Sequence, residues 1–250
     1  MKRIIGLILV LLLFAGCNRQ PAQEETLLPE TTQAVQMEAT LQTEPAVPDT
    51  EPPETVPETQ APTEPPAPES DAVFVRVLDY IPTACQELKY ATEDNFTGQV
   101  IYSFEDAYLR YGTVKKLQNV SRDLAELGLY IKIWDGFRPV SAQFALWKIC
   151  PDPTYVANPN KGYSSHSRGN TIDLTLVDEN GVEVEMPTGF DDFSPKADRN
   201  YYDCTETAAN NSQLLEILME KHGFTGYAGE WWHYSDTTSY PVENVFEPEK

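Results

Sequence analysis

An α+β fold is predicted for the larger, C-terminal part of this 250-residue chain, and three observations predict it. Two long segments, Thr113 to Leu127 and Thr205 to His222, repeat apolar residues at the three- and four-residue spacing of a helix buried on one side. Several shorter segments, 129–134 and 171–177 among them, have strand length and are rich in branched and aromatic residues. Strands and helices do not alternate as they do around a parallel sheet, and Asn180-Gly181 marks a hairpin turn. The expected architecture is one domain with a central antiparallel sheet flanked by helices.

In chain order, Ala72 to Leu78 alternates and reads as a strand, and Tyr90 to Gly98 is a polar loop with turn residues. In the helix Thr113–Leu127, Val114, Leu117, Val120, Leu124 and Leu127 share a face, and Gly128 stands where a helix end favours a left-handed residue. Leu129–Trp134 reads as a buried strand running into Asp135–Pro139. Pro139, with its fixed φ, suits the first turn of a helix over Val140–Ile149, anchored by Phe144 and Trp147. Thr171–Val177 and Val182–Met186 form a hairpin about Asp178–Gly181. Thr205–His222 is a second long helix, with Leu215, Leu218, Met219 and His222 in register and Gly223 as its stop; Trp231–Ser235 is a last short strand.

The N-terminal quarter does not fold with the rest. Residues 1–17 combine Lys2 and Arg3, a short apolar run and small residues before a cysteine, which is a secretory signal and too short to span a membrane. Its Ala15-Gly16-Cys17 ending resembles a bacterial lipoprotein box, although Phe14 departs from the usual aliphatic residue. The resemblance implies a lipid on Cys17 and an extracytoplasmic, membrane-anchored protein; ordinary secretion is the alternative. Residues 18–72 are dominated by Pro, Glu, Thr, Gln and Ala without apolar periodicity, and read as a disordered tether. At about 3.1 Å per residue it reaches on the order of 100 Å. The domain is then 73–250. The chain carries a net charge of −21. The tether accounts for −11 of this and the domain for −12, against +2 in the signal, so nucleic acid is not an expected partner. Apart from Cys17, three cysteines remain, Cys85, Cys150 and Cys204; none is in a CxxC pair, and one disulfide among them is possible without the sequence choosing it.

The chemistry lies in three histidines and their neighbours. His222 ends a helix, where its interaction with the helix C-terminus is sufficient explanation. His166 stands seven residues before Asp173, a carboxylate inside a strand-like run, and an unpaired buried charge is costly unless something binds it. His233 follows Glu230 by three. Two imidazoles and a carboxylate make a catalytic zinc set with a fourth position left for water, and a further carboxylate can take that water's proton; Glu230 is the candidate. On a regular strand Glu230 and His233 would face opposite ways, so Glu230 is expected at a bend before the strand. The alternative is a surface glutamate and a half-buried histidine among tryptophans.

At this point the motifs carry a resemblance. Ser164, His166, Gly169, Thr171 and Asp173, followed by Glu230 and His233, resemble the signature of the zinc D,D-peptidases, Thr171 standing where alanine is usual. The runs Tyr90–Gly98, Trp134–Pro139, Ser164–Gly169, Ile172–Leu176, Phe190-Asp191 and Glu230–Tyr234 are similar, in order, to the D-alanyl-D-alanine dipeptidase branch over roughly residues 75–245. The resemblance implies a hedgehog/D,D-peptidase-like fold and one Zn2+ on His166, Asp173 and His233. It implies Glu230 as general base, Arg138 at the substrate carbonyl and oxyanion, Ser164 on the substrate, and Asp191 at the substrate ammonium, with neighbouring Asp192 as an alternative. For Arg138 the plainer alternative is a salt bridge to Asp135 on its own turn. Tyr90, Trp231, Trp232 and Tyr234 are candidates for the pocket wall or, more simply, for the core. The implied activity is hydrolysis of D-Ala-D-Ala or a similar dipeptide. The rivals are a carboxypeptidase or endopeptidase trimming wall stem peptides, and a non-catalytic wall-binding module.

Overall fold

The central strand is β5, Thr171–Val177, and all seven of its residues are buried. Ile172, Leu174 and Leu176 alternate with Thr171, Asp173 and Thr175, so the strand has an apolar and a polar face, and neither reaches solvent. The computed structural model describes residues 65–249; the expected signal, its Cys17 and the tether as far as residue 64 lie outside the described residues. Before β5 come β1 (Phe74–Arg76), the single turn α1 (Val77–Tyr80), β2 (Cys85–Gln86), β3 (Tyr108–Arg110), α2 (Tyr111–Ala125), β4 (Tyr130–Asp135) and α3 (Val140–Ile149). After it come α4 (Glu206–Lys221), β6 (Phe224–Tyr227) and β7 (Glu230–Asp236).

The fold is α+β. The main sheet has the order β2-β4-β5-β7-β6, and β1 and β3 form a separate antiparallel pair. β4, β5, β7 and β6 run antiparallel, as expected; only the two-residue edge strand β2 is parallel to its neighbour β4. Ile131 and Ile133 on β4 stand opposite Leu176 and Leu174, and this apolar face joins Val114, Leu117, Val120 and Leu124 of α2 and Leu215 and Met219 of α4 in one core. The polar face of β5 is thereby left for the other side of the sheet, under the loops.

Several local expectations change. β1 stops at Arg76, because Val77 and Leu78 turn into α1. β2, β3 and β6 are two to four residues long, too short to show a period, and no sequence expectation covers them. α2 ends at Ala125, so Leu127 lies past its buried stripe and is exposed. Pro139 is the N-cap of α3 rather than its first helical residue, and Phe144 is exposed: it sits two residues, some 200° around the helix, from both Ala142 and Leu146, which are buried. The Asp178–Gly181 turn closes, with Asp178 N–H donating to Val182 O, but beyond it only a single bridge between Val177 and Glu183 forms, not a strand. α4 is capped by Thr205, whose hydroxyl accepts from Ala208 N–H. His222 at its end contacts Asp123 of α2 at 2.6 Å, so it joins two helices as well as ending one. Cys85, Cys150 and Cys204 are free thiols, and no helix among the described residues is long and apolar enough to cross a membrane.

Candidate active site

Asp173 of β5 and His233 of β7 stand directly opposite each other on antiparallel strands, so their side chains emerge on the same face. His233 Nδ1 lies 3.0 Å from Asp173 Oδ1. His166 reaches them from a 3-10 turn, Ser165–Arg168, which ends on Gly169 at φ 73°. A side chain at Gly169 is excluded twice: by that left-handed backbone and by Phe74, whose ring would lie 2.3 Å from an added Cβ. His166 Nε2 is 3.3 Å from Asp173 Oδ2 and 3.3 Å from His233 Nδ1. Its other nitrogen, Nδ1, is 2.8 Å from Gly136 O. A carbonyl only accepts, so Nδ1 carries the proton and the Nε2 lone pair faces the cluster.

These residues fit a metal ion. Asp173 Oδ1 is buried and accepts no hydrogen bond; its approach to His233 lacks hydrogen-bond geometry. A buried acceptor left bare costs about 1–3 kcal/mol. Burial works to raise the Asp173 pKa, but His166 and His233 outweigh it and hold the carboxyl well below the usual range, ionised as a ligand must be. One ligand atom from each of His166, Asp173 and His233 lies within 4.8 Å of the others, and two imidazoles with a carboxylate are a donor set for zinc and similar divalent ions.

Glu230 opens β7, where the ladder to β6 is irregular: Gly226 pairs with Tyr234, yet Tyr227 pairs with Glu230. Glu230 is thus the first residue of the strand rather than at a bend before it, and a bulge stands where the bend was expected. It frees Glu230 from the opposite face and brings its Oε2 to 3.6 Å from His233 Nδ1. Burial pushes the Glu230 pKa up, towards the range of a proton carrier.

Arg138 does pair with Asp135, through Nε at 3.0 Å and Nη2 at 2.6 Å, and it also lines the cleft. Its Nη1 donates to Gln143 Oε1 at 3.0 Å, and its guanidinium lies 5.0 Å from the centre of the Tyr90 ring. Asp135 is fully buried and accepts from Tyr102 Oη–H at 2.7 Å and from Gly136 N–H at 2.8 Å as well. Asp191 adopts φ 54°, accepts from Tyr90 Oη–H at 2.8 Å and lines the cleft; burial pushes its carboxyl up to about 7. Asp192 accepts from Ser194 N–H in its own loop and does not line the cleft. Ser164 is buried at the cleft wall.

The cleft measures about 320 Å³ and gathers Arg138, Ser164, Asp191 and Glu230 around the His166–Asp173–His233 cluster. Tyr90 is in its wall, whereas Trp231, Trp232 and Tyr234 belong to the core. The sequence expectations leave out Gly136 O, Gln143, Tyr102, the loop aromatics Tyr155 and Tyr163, and Tyr227 of β6. Only Gln143 left a trace, as a polar residue on the buried stripe of α3.

A cleft in which a triad that fits a metal ion faces a half-buried carboxylate and a fixed guanidinium is equipped to cleave an amide with water, and with the family match this makes the chain a metallopeptidase. Comparison with known proteins narrows the class. A family model described as D-ala-D-ala dipeptidase (Peptidase_M15) matches residues 70–247, and the chain belongs to that family. A D-alanyl-D-alanine dipeptidase of Escherichia coli (strain K12) is 41% identical over 159 residues, covering 62% of this chain and 81% of that protein. One from Enterococcus faecalis is 36% identical over 169 residues, covering 59% and 83%. A solved structure of a vancomycin resistance D,D-pentapeptidase VanY mutant in complex with Zn(II) is 17% identical, with TM-score 0.35, and is covered over 76% of its length and 55% of this chain.

Proposed function

We propose that this chain hydrolyses D-alanyl-D-alanine or a close D,D-dipeptide, with one zinc ion on His166, Asp173 and His233. The observation that carries the reading is that Glu230, Arg138 and Asp191 line the same small cleft as the three ligands. Relatives named as D-alanyl-D-alanine dipeptidases support the substrate. When bound, zinc acidifies a coordinated water and polarises the carbonyl. Glu230 takes a proton from the attacking water as the C–O bond forms, and returns it to the leaving nitrogen as the C–N bond breaks, so two D-alanines depart. Arg138, held by Asp135 and Gln143, presents charge to the oxyanion without having to reorganise. Asp191 receives the free ammonium, and Ser164 orients the backbone beside it. A carboxylate aimed at an amine penalises internal bonds, which sets a dipeptide above a stem pentapeptide. The test is release of free D-alanine by the purified protein, with and without chelator, against both substrates. Metal-loaded protein that releases none, or a Glu230→Ala variant with full activity, refutes the reading; preference for the pentapeptide converts it to a carboxypeptidase.

The N-terminal sequence supports an exported, lipid-anchored protein acting outside the cytoplasm, in turnover or scavenging of wall-derived peptides. Membrane fractionation with Cys17→Ser tests this: the wild-type protein should sediment with membranes, and the variant should not.

A further inference from the structure

Arg199 takes no part in the chemistry above, yet its side chain is only 9% exposed and is committed to one short segment. It follows the 3-10 turn Pro195–Ala197. Its Nε donates to Tyr227 O at 2.9 Å, Nη2 donates to Trp231 O and His233 O at 3.0 Å each, and Nη1 donates to Tyr234 Oη at 3.0 Å. Its backbone N–H donates to Ala228 O at 3.1 Å. The guanidinium stacks 4.3 Å from the Tyr234 ring centre, and a contact at 3.5 Å to Glu216 ties it to α4. Except for Glu216, every one of these partners lies between Tyr227 and Tyr234, the stretch that carries Glu230 and His233.

That stretch needs outside help. Trp231, Trp232 and His233 have no partner on β6, because the register jumps from Tyr234 to Glu230. Arg199 gives the carbonyls of Trp231 and His233 a donor where the pairing with β6 is interrupted, and buried carbonyls are rarely left without one. The planar fork of an arginine serves both at once, which a lysine ammonium on its flexible stem does not match. Gly226 makes the room: a Cβ there would lie 2.4 Å from Arg199 Cζ.

We propose that Arg199 is a positioning residue that holds the β6–β7 bulge open, and so sets Glu230 and His233 on the same side of the cleft. The inference rests on the zinc site proposed above and assigns it a supporting side chain on a separate loop.

The test uses Arg199→Met and Arg199→Lys, with Gly226→Ala as an independent way of displacing the guanidinium. Outer-sphere partners of metal ligands typically count for about 10–100-fold in metal affinity or activity. Arg199→Met and Gly226→Ala should weaken zinc binding and lower kcat by about that factor. KM for the dipeptide should stay near wild type, since Ser164, Arg138 and Asp191 stand on other segments. The visible spectrum of the cobalt-substituted protein should shift, and Arg199→Lys should recover only part of the loss. Folded variants whose zinc Kd, cobalt spectrum and kcat all stay within about threefold of wild type, well short of that factor, overturn the proposal. So does a loss of activity that merely tracks the folded fraction on thermal unfolding. If Arg199→Met does not fold, Gly226→Ala and Arg199→Lys decide by the same readouts. If the wild-type protein hydrolyses no D,D-dipeptide, zinc affinity and the cobalt spectrum still decide the role of Arg199.

Discussion

Replacing Asp191 with asparagine removes one negative charge from the cleft and disturbs little else. Asp191 sits at φ 54°, in the left-handed region where aspartate and asparagine are the best tolerated residues after glycine, so the substitution adds no backbone strain. The asparagine oxygen can still accept from Tyr90 Oη–H, which lies 2.8 Å from Asp191 Oδ2. What is lost is the charge that meets the substrate ammonium. Truncating one partner of a buried charge pair costs about 2–5 kcal/mol. At 1.36 kcal/mol per decade that is roughly 30- to 5000-fold in kcat/KM. The lower half of the range is expected near neutrality, because burial pushes Asp191 up to about 7 and part of the free enzyme is then uncharged. The assay is D-alanine release from D-Ala-D-Ala and from its N-acetylated form. The variant should lose at least about 30-fold on the free dipeptide, mostly in KM, and little on the acetylated one. The sign with pH follows: wild-type kcat/KM should fall as pH drops below about 7, where Asp191 takes up a proton, and Asp191→Asn should lose that contribution and keep only the acid limb of Glu230. Stability runs the other way. A carboxyl raised from 3.8 to about 7 favours the folded state below its unfolded pKa, and that contribution is lost as pH rises through 7. The metal-free variant should therefore be more stable than wild type at pH 8, by on the order of 1–4 kcal/mol. A variant that keeps kcat/KM on the free dipeptide refutes the role of Asp191.

Glu230→Gln should lower kcat by about 10²–10⁴ while zinc content, measured by elemental analysis, stays at one per chain. Arg138→Lys breaks the fork to Asp135 and Gln143, and steady-state kinetics should show kcat down by about 10²–10³. Removing zinc with a chelator should abolish activity and lower Tm; restoring it at a free concentration of 100 times Kd should stabilise the fold by about 2.7 kcal/mol. Gly169→Ala meets both a positive φ and the Phe74 ring, so it should cost at least about 1–3 kcal/mol in denaturant unfolding and weaken zinc binding through His166.

Much of the site was legible because its residues violate the rules of their own elements. Asp173 is a carboxylate in a strand otherwise fit for a core, and Glu230 and His233 are spaced wrongly for a shared strand face. Both anomalies point to an outside constraint before any fold is known. The long helices and β5 were legible for the opposite reason, since they are long enough to show a clean period. Phe144 and Leu127 are apolar yet exposed, because the helix ends and the packing partners, not residue type, decide which side is covered.

By itself the chain order established the α+β class and the strand that carries Asp173, and it marked Asp173, Glu230 and His233 as out of place in their strands, because these depend on residue type and short-range spacing. The set of three ligands came with the resemblance to the D,D-peptidases. The tertiary structure alone decided what stands behind them. Gly136 O orients His166, and Asp135 and Gln143 hold Arg138. Tyr90 turns Asp191 rather than Asp192 to the cleft, and Arg199 bonds the carbonyls of the bulge from a loop some thirty residues before it. Those contacts join segments far apart in sequence through backbone carbonyls and single side chains, and such partners leave no periodic mark because any residue has a carbonyl to offer.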